Sequence, residues 1–362
     1  MGKLVRVVVM YRAVSLFSGA GGLDIGFESH GFSVVYAVEQ NIDSAMTWKV
    51  NRPSNAKAMH VSDINDCLDE IAQLSDIDIV FGGPPCQGFS IAGKMRPDDP
   101  RNKLIHTFLE VVELTRPKVF VMENVRALAS SPRWKKVRED ILHTCELLQY
   151  GCSLEVYNAK DYGVSENRER MLLVGVREDT GLKANIFHEA MLKQKRMAAP
   201  VREVIKRVGK YGSSSNPVTG SARITLAKKP VIRATAYSGM LVNGSGRPIN
   251  LDTISPTLTA SMGGNKTPII DQRSLEDKTI PNWFVHAHDI WQKNESFNGL
   301  TVPKYVRRLT VTEAAAIQGF PKEYIFHGSV CSQYRQIGNA VPCGLSSVAA
   351  QAVVDSFFDL DK

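Results

Sequence analysis

Apolar and polar positions along the first 180 residues fall into two alternating patterns. Short, nearly continuous apolar runs at residues 13–17, 33–38, 77–81 and 117–122 read as strands buried on both faces. Between them, stretches such as residues 101–114 set Leu104, Phe108, Val111 and Val112 on one helical face. Residues 154–158 and 171–176 read as a further strand pair. Strands alternating with helices predict an α/β fold. From about residue 181 the pattern loosens. A Gly-Ser run at 212–216 and the turns at 243–246 and 263–266 separate short strands, which predicts a second, smaller domain, mostly β or irregular. Order returns at residues 307–313, where Thr310 and Glu313 have capping-box spacing, and residues 336–342 open a last helix with Pro342 near its first turn. The expected division is a domain of residues 1–180 completed by 330–362, and a small domain with hinge over 181–329.

Length and composition add little beyond this. With 362 residues, 43% hydrophobic and 22% charged, the chain has ample material for one large core and one small one. No apolar run nears the roughly 20 residues of a membrane span, and residues 7–10 are too short for a signal peptide, so a cytoplasmic protein without a membrane partner is expected. Met10 is an alternative start of translation. The six cysteines, Cys67, Cys86, Cys145, Cys152, Cys331 and Cys343, form no C-x-x-C pair and no repeated spacing, so neither a metal site nor a disulfide framework is predicted. Charge changes the picture through its distribution. Residues 181–300 hold 17 Lys and Arg against 8 Asp and Glu, while the whole chain is +7. A basic segment on a near-neutral body points to a polyanionic partner, most simply nucleic acid, with a solvated basic surface as the alternative.

The candidate chemistry gathers at the ends of the predicted strands. The strand at 77–81 runs into Gly82-Gly83-Pro84-Pro85, which must end it, and presents Cys86 on a stiffened loop. A cysteine so framed reads as a nucleophile rather than as a small buried hydrophobe. The next strand ends at Glu123, which offers a carboxyl to the same rim. The first strand leads into Ser18, Gly19, Gly21 and Gly22 ahead of helical spacing, a cradle for a nucleotide-like ligand. Glu39, about twenty residues on, is placed to accept from ribose hydroxyls, and Asp63 lies at the next strand-to-helix turn. Arg168 and Arg170 stand two apart, so in extended chain both face one way as an anion- or base-binding fork. His286 and His288 read as structural, not as metal ligands.

Taken in order, FSGAGG, GGPPCQGFS, MENV, ENRERM, RRLTVTEAAAIQGFP and QIGNAVP resemble the blocks of the prokaryotic-type DNA (cytosine-5) methyltransferases, over about residues 13–177 and 307–350. The resemblance implies a Rossmann-like domain for S-adenosylmethionine, closed by the C-terminal helix, and a smaller target-recognition domain in the basic middle. It implies Cys86 as the nucleophile that adds to C6 of a cytosine flipped from duplex DNA, Glu123 as the group holding the cytosine N3 edge, and Arg168 and Arg170 beside the base. It assigns the cofactor to Phe17, Ser18, Gly19, Gly21, Gly22, Leu23, Glu39, Asp63, Ile64, Pro85, Leu104, Asn339, Ala340 and Val341. Gln87 and Ser90 match DNA contacts, with residues 87 to about 100 as a closing lid. Arg223, Lys228, Arg233, Arg247 and Lys266 are candidates for base or phosphate contacts. A monomer is expected, and the resemblance implies the modification enzyme of a restriction-modification system, with a cognate endonuclease as partner.

The chain departs from the family pattern at Glu166, where most members have Gln, and at Gln40, where some stack a tryptophan on adenine. A carboxylate at 166 requires Arg168 or Arg170 as its partner. The competing readings are a tRNA cytosine-5 methyltransferase of the same fold, a catalytically silent DNA-binding regulator, and an NAD-dependent dehydrogenase, which shares the glycine loop and Glu39 but has no use for a proline-framed cysteine.

Overall fold

A computed structural model describes residues 10–85, 103–220, 222–297 and 299–358 of the protein. The chain opens with β1 (Tyr11–Leu16), α1 (Gly22–Glu28), β2 (Phe32–Val38), α2 (Ile42–Val50), β3 (Met59–His60), α3 (Leu68–Ile71) and β4 (Ile79–Gly82). It continues through α4 (Lys103–Thr115), β5 (Val119–Val125), α5 (Arg126–Ser130), α6 (Lys135–Leu147), β6 (Tyr150–Asn158), β7 (Glu166–Asn167), β8 (Glu169–Arg177) and α7 (Asn185–Lys193). Then follow α8 (Val201–Val208), β9 (Leu226–Val231), β10 (Met240–Val242), β11 (Ser255–Pro256), β12 (Ile269–Asp271), α9 (Gln272–Glu276) and α10 (Trp283–Asn294). The last elements are β13 (Val306–Arg308), α11 (Val311–Ile317), α12 (Val330–Asn339) and α13 (Cys343–Phe357).

Two compact units result: one runs to Gly163 and adds Glu169–Met197 and the chain from Ala340, the other holds Val164–Arg168 and Ala198–Asn339. These bounds differ from 180/181 and 329/330 for physical reasons. Helix α7 packs on β6 and α13, which keeps it with the first unit. Helix α12 is tied to the second by Tyr334, whose hydroxyl donates to the Leu309 carbonyl, and by Gln336, whose amide donates to the His327 carbonyl.

The large unit is built on a seven-stranded sheet of order β3-β2-β1-β4-β5-β8-β6. All neighbours pair parallel except β8, which runs antiparallel to β5 and to β6. The apolar runs of β1, β4 and β5 are continuous because both sheet faces are covered: Val14, Val80 and Phe120 are fully buried. Chain order reverses between β1 and β4, and at such a switch point the crevice beyond the strands' carboxyl ends is where α/β sheets take ligands. This mixed α/β fold, which the strand pattern predicted, is Rossmann-like, as the resemblance implied.

The small unit is turn-rich, with strands paired only two by two: β9 with β10, β12 with β13 and β7 with β11. Its core gathers Leu241, Val242, Ile269, Trp283, Phe284, Ala287 and Val306. Helices α8 and α10, which the loosened pattern did not announce, stand beside the expected short strands. The capping box is present at α11: Thr310 and Glu313 exchange side-chain-to-backbone bonds, and Arg307 grips the same carboxylate with both terminal nitrogens at 2.7 and 2.8 Å.

By length and composition one helical run among the described residues, Val330–Phe357, would suit a membrane, but 72% of its apolar window is buried inside the protein. The chain breaks at residues 340–342, making α12 and α13 two separate core helices.

Candidate active site

The glycine loop follows β1 at the switch point. Phe17, Gly19 and Gly21 take φ of 53°, 56° and 81°, so the chain curls in the left-handed region, where Phe17 is unusual. The curl is pinned to the end of β2: Ser18 N donates to the Val38 carbonyl at 3.1 Å, and Gly19 N to Glu39 Oε2 at 2.8 Å. The other oxygen of Glu39 accepts from Asn41 N at 2.7 Å. Burial raises the pKa of this carboxyl above the usual glutamate value, against the lowering effect of the Asn41, Gly19 and Gln40 backbone. Leu23 packs into the core.

Asp63 caps a short turn that contains Ile64, accepting from Asn65 N at 3.0 Å. Gln40 reaches Asp63 at 3.4 Å, so the residue after Glu39 bridges the two acidic positions. Asn65 accepts from Thr107 of α4 at 3.2 Å, which draws the helix bearing Leu104 to the same turn. On the other side of the loop, a Cβ on Gly22 would stand 2.6 Å from the Val341 carbonyl oxygen and 3.0 Å from Ala340 Cβ. Only glycine lets residues 340–341 lie against the loop. The structure thus brings Ala340 and Val341 to Gly22, while Asn339 is an exposed residue ending α12 in the small unit.

Beneath α1 lies a polar network that the sequence reading missed. Asp24 is fully buried and accepts from Trp48 Nε1 at 2.8 Å. Arg52 lies over the Trp48 ring and grips Glu28 through Nε and a terminal nitrogen, each at 2.7 Å. Burial raises the pKa of both carboxyls, opposed chiefly by Arg52. The signal was available: Asp24 with Glu28 and Trp48 with Arg52 are each four apart, the spacing of two facing helical edges.

At the end of β4 the described chain reaches Gly83, Pro84 and Pro85. Cys86, Gln87 and Ser90, with the lid expected over residues 87–100, lie outside the described residues. Glu123 is within β5, and its Oε1 meets Arg170 Nε of β8 at 2.6 Å. Arg170 pairs in register with Val125, so Glu123 is its diagonal neighbour on one face of the ladder. A Cβ on Gly83 would come 2.8 Å from Glu123 Oε2, which places this carboxyl against the loop that leads to Cys86.

Arg168 corrects the expected fork. It is 2% exposed and donates to the carbonyls of Leu258 at 2.9 Å and Gly338 at 2.7 Å, all in the small unit. Glu166, fully buried, lies 3.5 Å from the Arg168 guanidinium and accepts from Leu258 N. Arg168 is therefore the partner that a carboxylate at 166 requires, and its terminal nitrogens are committed to backbone carbonyls. The two arginines lie at differently paired strands: β7, just before Arg168, pairs with β11, and β8, which holds Arg170, pairs with β5.

In the small unit Arg223, Lys228, Arg233, Arg247 and Lys266 are all exposed. Lys228 lies on β9, and Arg247 and Lys266 sit on neighbouring loops joined by Gly246 N donating to the Asn265 carbonyl. His288 is buried with Nε2 2.8 Å from the Arg233 carbonyl oxygen. Among the described residues no cluster of His, Cys, Asp and Glu suits a metal.

On this Rossmann-like sheet a glycine loop tied to a strand-end glutamate stands at the switch point, and a carboxyl is set beside a proline-rich loop, the layout of a methyltransferase site. The sequence model of the C-5 cytosine-specific DNA methylases matches residues 11–355, and the chain belongs to that family. It is a DNA cytosine-5 methyltransferase. Among its relatives, the type II methyltransferase M.FnuDI of Fusobacterium nucleatum is 29% identical over 97% of this chain and 96% of its own. The type II methyltransferase M1.HphI of Haemophilus parahaemolyticus is 31% identical over 94% of this chain and 86% of its own. In fold, the chain resembles the Entamoeba histolytica methyltransferase EhMeth, with a TM-score of 0.66 at 16% identity over 98% of this chain and 99% of that one. A mutant of Spodoptera frugiperda DNMT2 gives 0.63 at 17% identity over 95% and 99%.

Proposed function

We propose that the protein is the modification methyltransferase of a type II restriction-modification system, methylating C5 of one cytosine in a short duplex motif with S-adenosylmethionine as donor. The names of its relatives support the restriction-modification setting. The residues around the glycine loop fit the donor: the loop is free of side chains at Gly19, Gly21 and Gly22, and each Glu39 oxygen keeps a lone pair for a ribose hydroxyl beyond the N–H it already accepts. When bound, S-adenosylmethionine supplies an electrophilic methyl group.

The observation that carries the mechanism is the Glu123–Arg170 pair lying against Gly83, three residues before Cys86. C5 of cytosine is too weak a nucleophile to take a methyl group unaided. Addition of the Cys86 thiolate to C6 turns the ring into an enamine, with the electrons drawn toward N3, where Glu123 holds a proton. Arg170 keeps that carboxyl oriented. Once C5 carries the methyl group, loss of the C5 proton and departure of the Cys86 sulfur restore the aromatic ring. The base must leave the stack first, at a cost of a few kcal/mol. Exposed Arg223, Lys228, Arg233, Arg247 and Lys266 supply the charge for DNA.

The test is to incubate the protein with donor and unmethylated DNA of varied sequence and to map protected cytosines by bisulfite conversion, with Cys86→Ser as control. Protection at one short motif, lost in the variant, is the expected result. Binding of donor without any protection would sink the DNA reading and turn attention to RNA substrates.

A further inference from the structure

Asn124 is nearly inaccessible, at 1% exposed, and lies between Glu123 and α5. Successive side chains of a strand leave on opposite faces, yet these two meet the same short loop. Glu123 stands against Gly83, as described, while Asn124 Nδ2 donates to the Pro84 carbonyl at 3.2 Å. The Asn124 Oδ1 accepts from Val125 N at 2.9 Å. Pro84 and Pro85 carry no N–H and offer the loop no donor of their own, and Asn124 supplies one from β5.

We propose that Asn124 is a positioning residue for methyl transfer: by fixing the Pro84 peptide it holds the end of the β4 loop beside the Glu123 carboxyl. This rests on the reading of Cys86 as the nucleophile. The position demands a donor toward Pro84 and an acceptor toward Val125 on one short side chain, which asparagine supplies. Ionised aspartate has the same shape but only acceptors, and sets its charge against the Pro84 carbonyl oxygen.

The test compares wild type, Asn124→Asp, Asn124→Ser and Cys86→Ser for kcat, KM for duplex DNA, donor Kd, and the rate of covalent capture by DNA carrying 5-fluorocytosine, whose C5 fluorine blocks the final elimination. For Asn124→Asp we expect kcat and capture to fall together by about 10²-fold, the scale of a misplaced reacting group, with KM and donor Kd within about threefold. As pH falls from 8 to 5, kcat of Asn124→Asp relative to wild type should recover about tenfold, because a protonated carboxyl again donates to Pro84. Asn124→Ser, which keeps a hydroxyl donor without charge, should fall between the two and serves if Asn124→Asp does not fold. Capture as fast as wild type in either variant overturns the positioning role alone, and so does a loss of kcat matched by an equal loss of donor affinity with no pH recovery. No capture by wild type overturns the nucleophile reading and the positioning role with it.

Discussion

Arg170 Nε lies 2.6 Å from Glu123 Oε1, and the two side chains are 13% and 12% exposed. Removing one member of so enclosed a pair leaves the other's charge uncompensated. Arg170→Ala should lower single-turnover methyl transfer by about 10²-fold or more, because the carboxyl is free to swing from the base edge. Donor binding, measured by calorimetry, should stay near wild type, since Glu39 and the glycine loop are untouched.

Gly83→Ala tests the same carboxyl from the loop side. The new methyl would sit 2.8 Å from Glu123 Oε2, so carboxyl or loop must shift. A displacement of that kind should cost about 10²-fold in kcat. A kcat within twofold of wild type would show that the loop yields freely.

Asp24 and Glu28 make stability depend on pH. Burial raises both pKa values above those of the unfolded chain, with Arg52 opposing. A carboxyl whose folded pKa is raised contributes stability that is complete below its unfolded pKa and is lost as pH rises through the folded one. Asp24→Asn keeps the acceptor for Trp48 and removes one such group. Its Tm should match wild type near pH 4 and exceed it by a few degrees at pH 7, in melts run across that range.

For Arg168 the expected loss is of fold rather than of base contact. Arg168→Ala orphans the Leu258 and Gly338 carbonyls and leaves Glu166 buried without its cation. Breaking a buried pair from one side costs roughly 3–5 kcal/mol. The variant should unfold at distinctly lower denaturant, and restoring the charge as Arg168→Lys should recover only part of the loss, since an ammonium lacks the planar fork.

The exposed cations of the small unit should act through salt. Lys228→Ala is expected to weaken DNA binding and to reduce the slope of log K against log salt by about 1 if the residue meets a phosphate. An unchanged slope would remove Lys228 from the interface.

Much of this was legible in the chain because the cause is local. Strand β4 is apolar since both faces are covered, and Glu39 stands where its strand ends. The rest depends on partners distant in sequence. Nothing near Arg168 tells that β7 will pair with β11, so the change of strand partners between Arg168 and Arg170 goes unannounced. Asn124 stood just past the expected end of its strand, and its bond to Pro84 crosses 40 residues. Helix α10 buries Trp283, Phe284 and Ala287, but Val285, Ile290 and Trp291 spread apolar positions along the same stretch, so no single face stands out in sequence.

The bond from Ser346 Oγ to the Gly22 carbonyl, 2.8 Å long, joins residues 324 apart. On the ribosome one partner is made long before the other. The helix after the glycine loop must wait for α13 to cover Gly26, where a Cβ would stand 2.3 Å from the Ser346 backbone. Contacts so far apart in sequence form late, after the cost of closing the loop between them has been met. A chain not yet grown as far as α13 therefore leaves the helix behind the glycine loop uncovered.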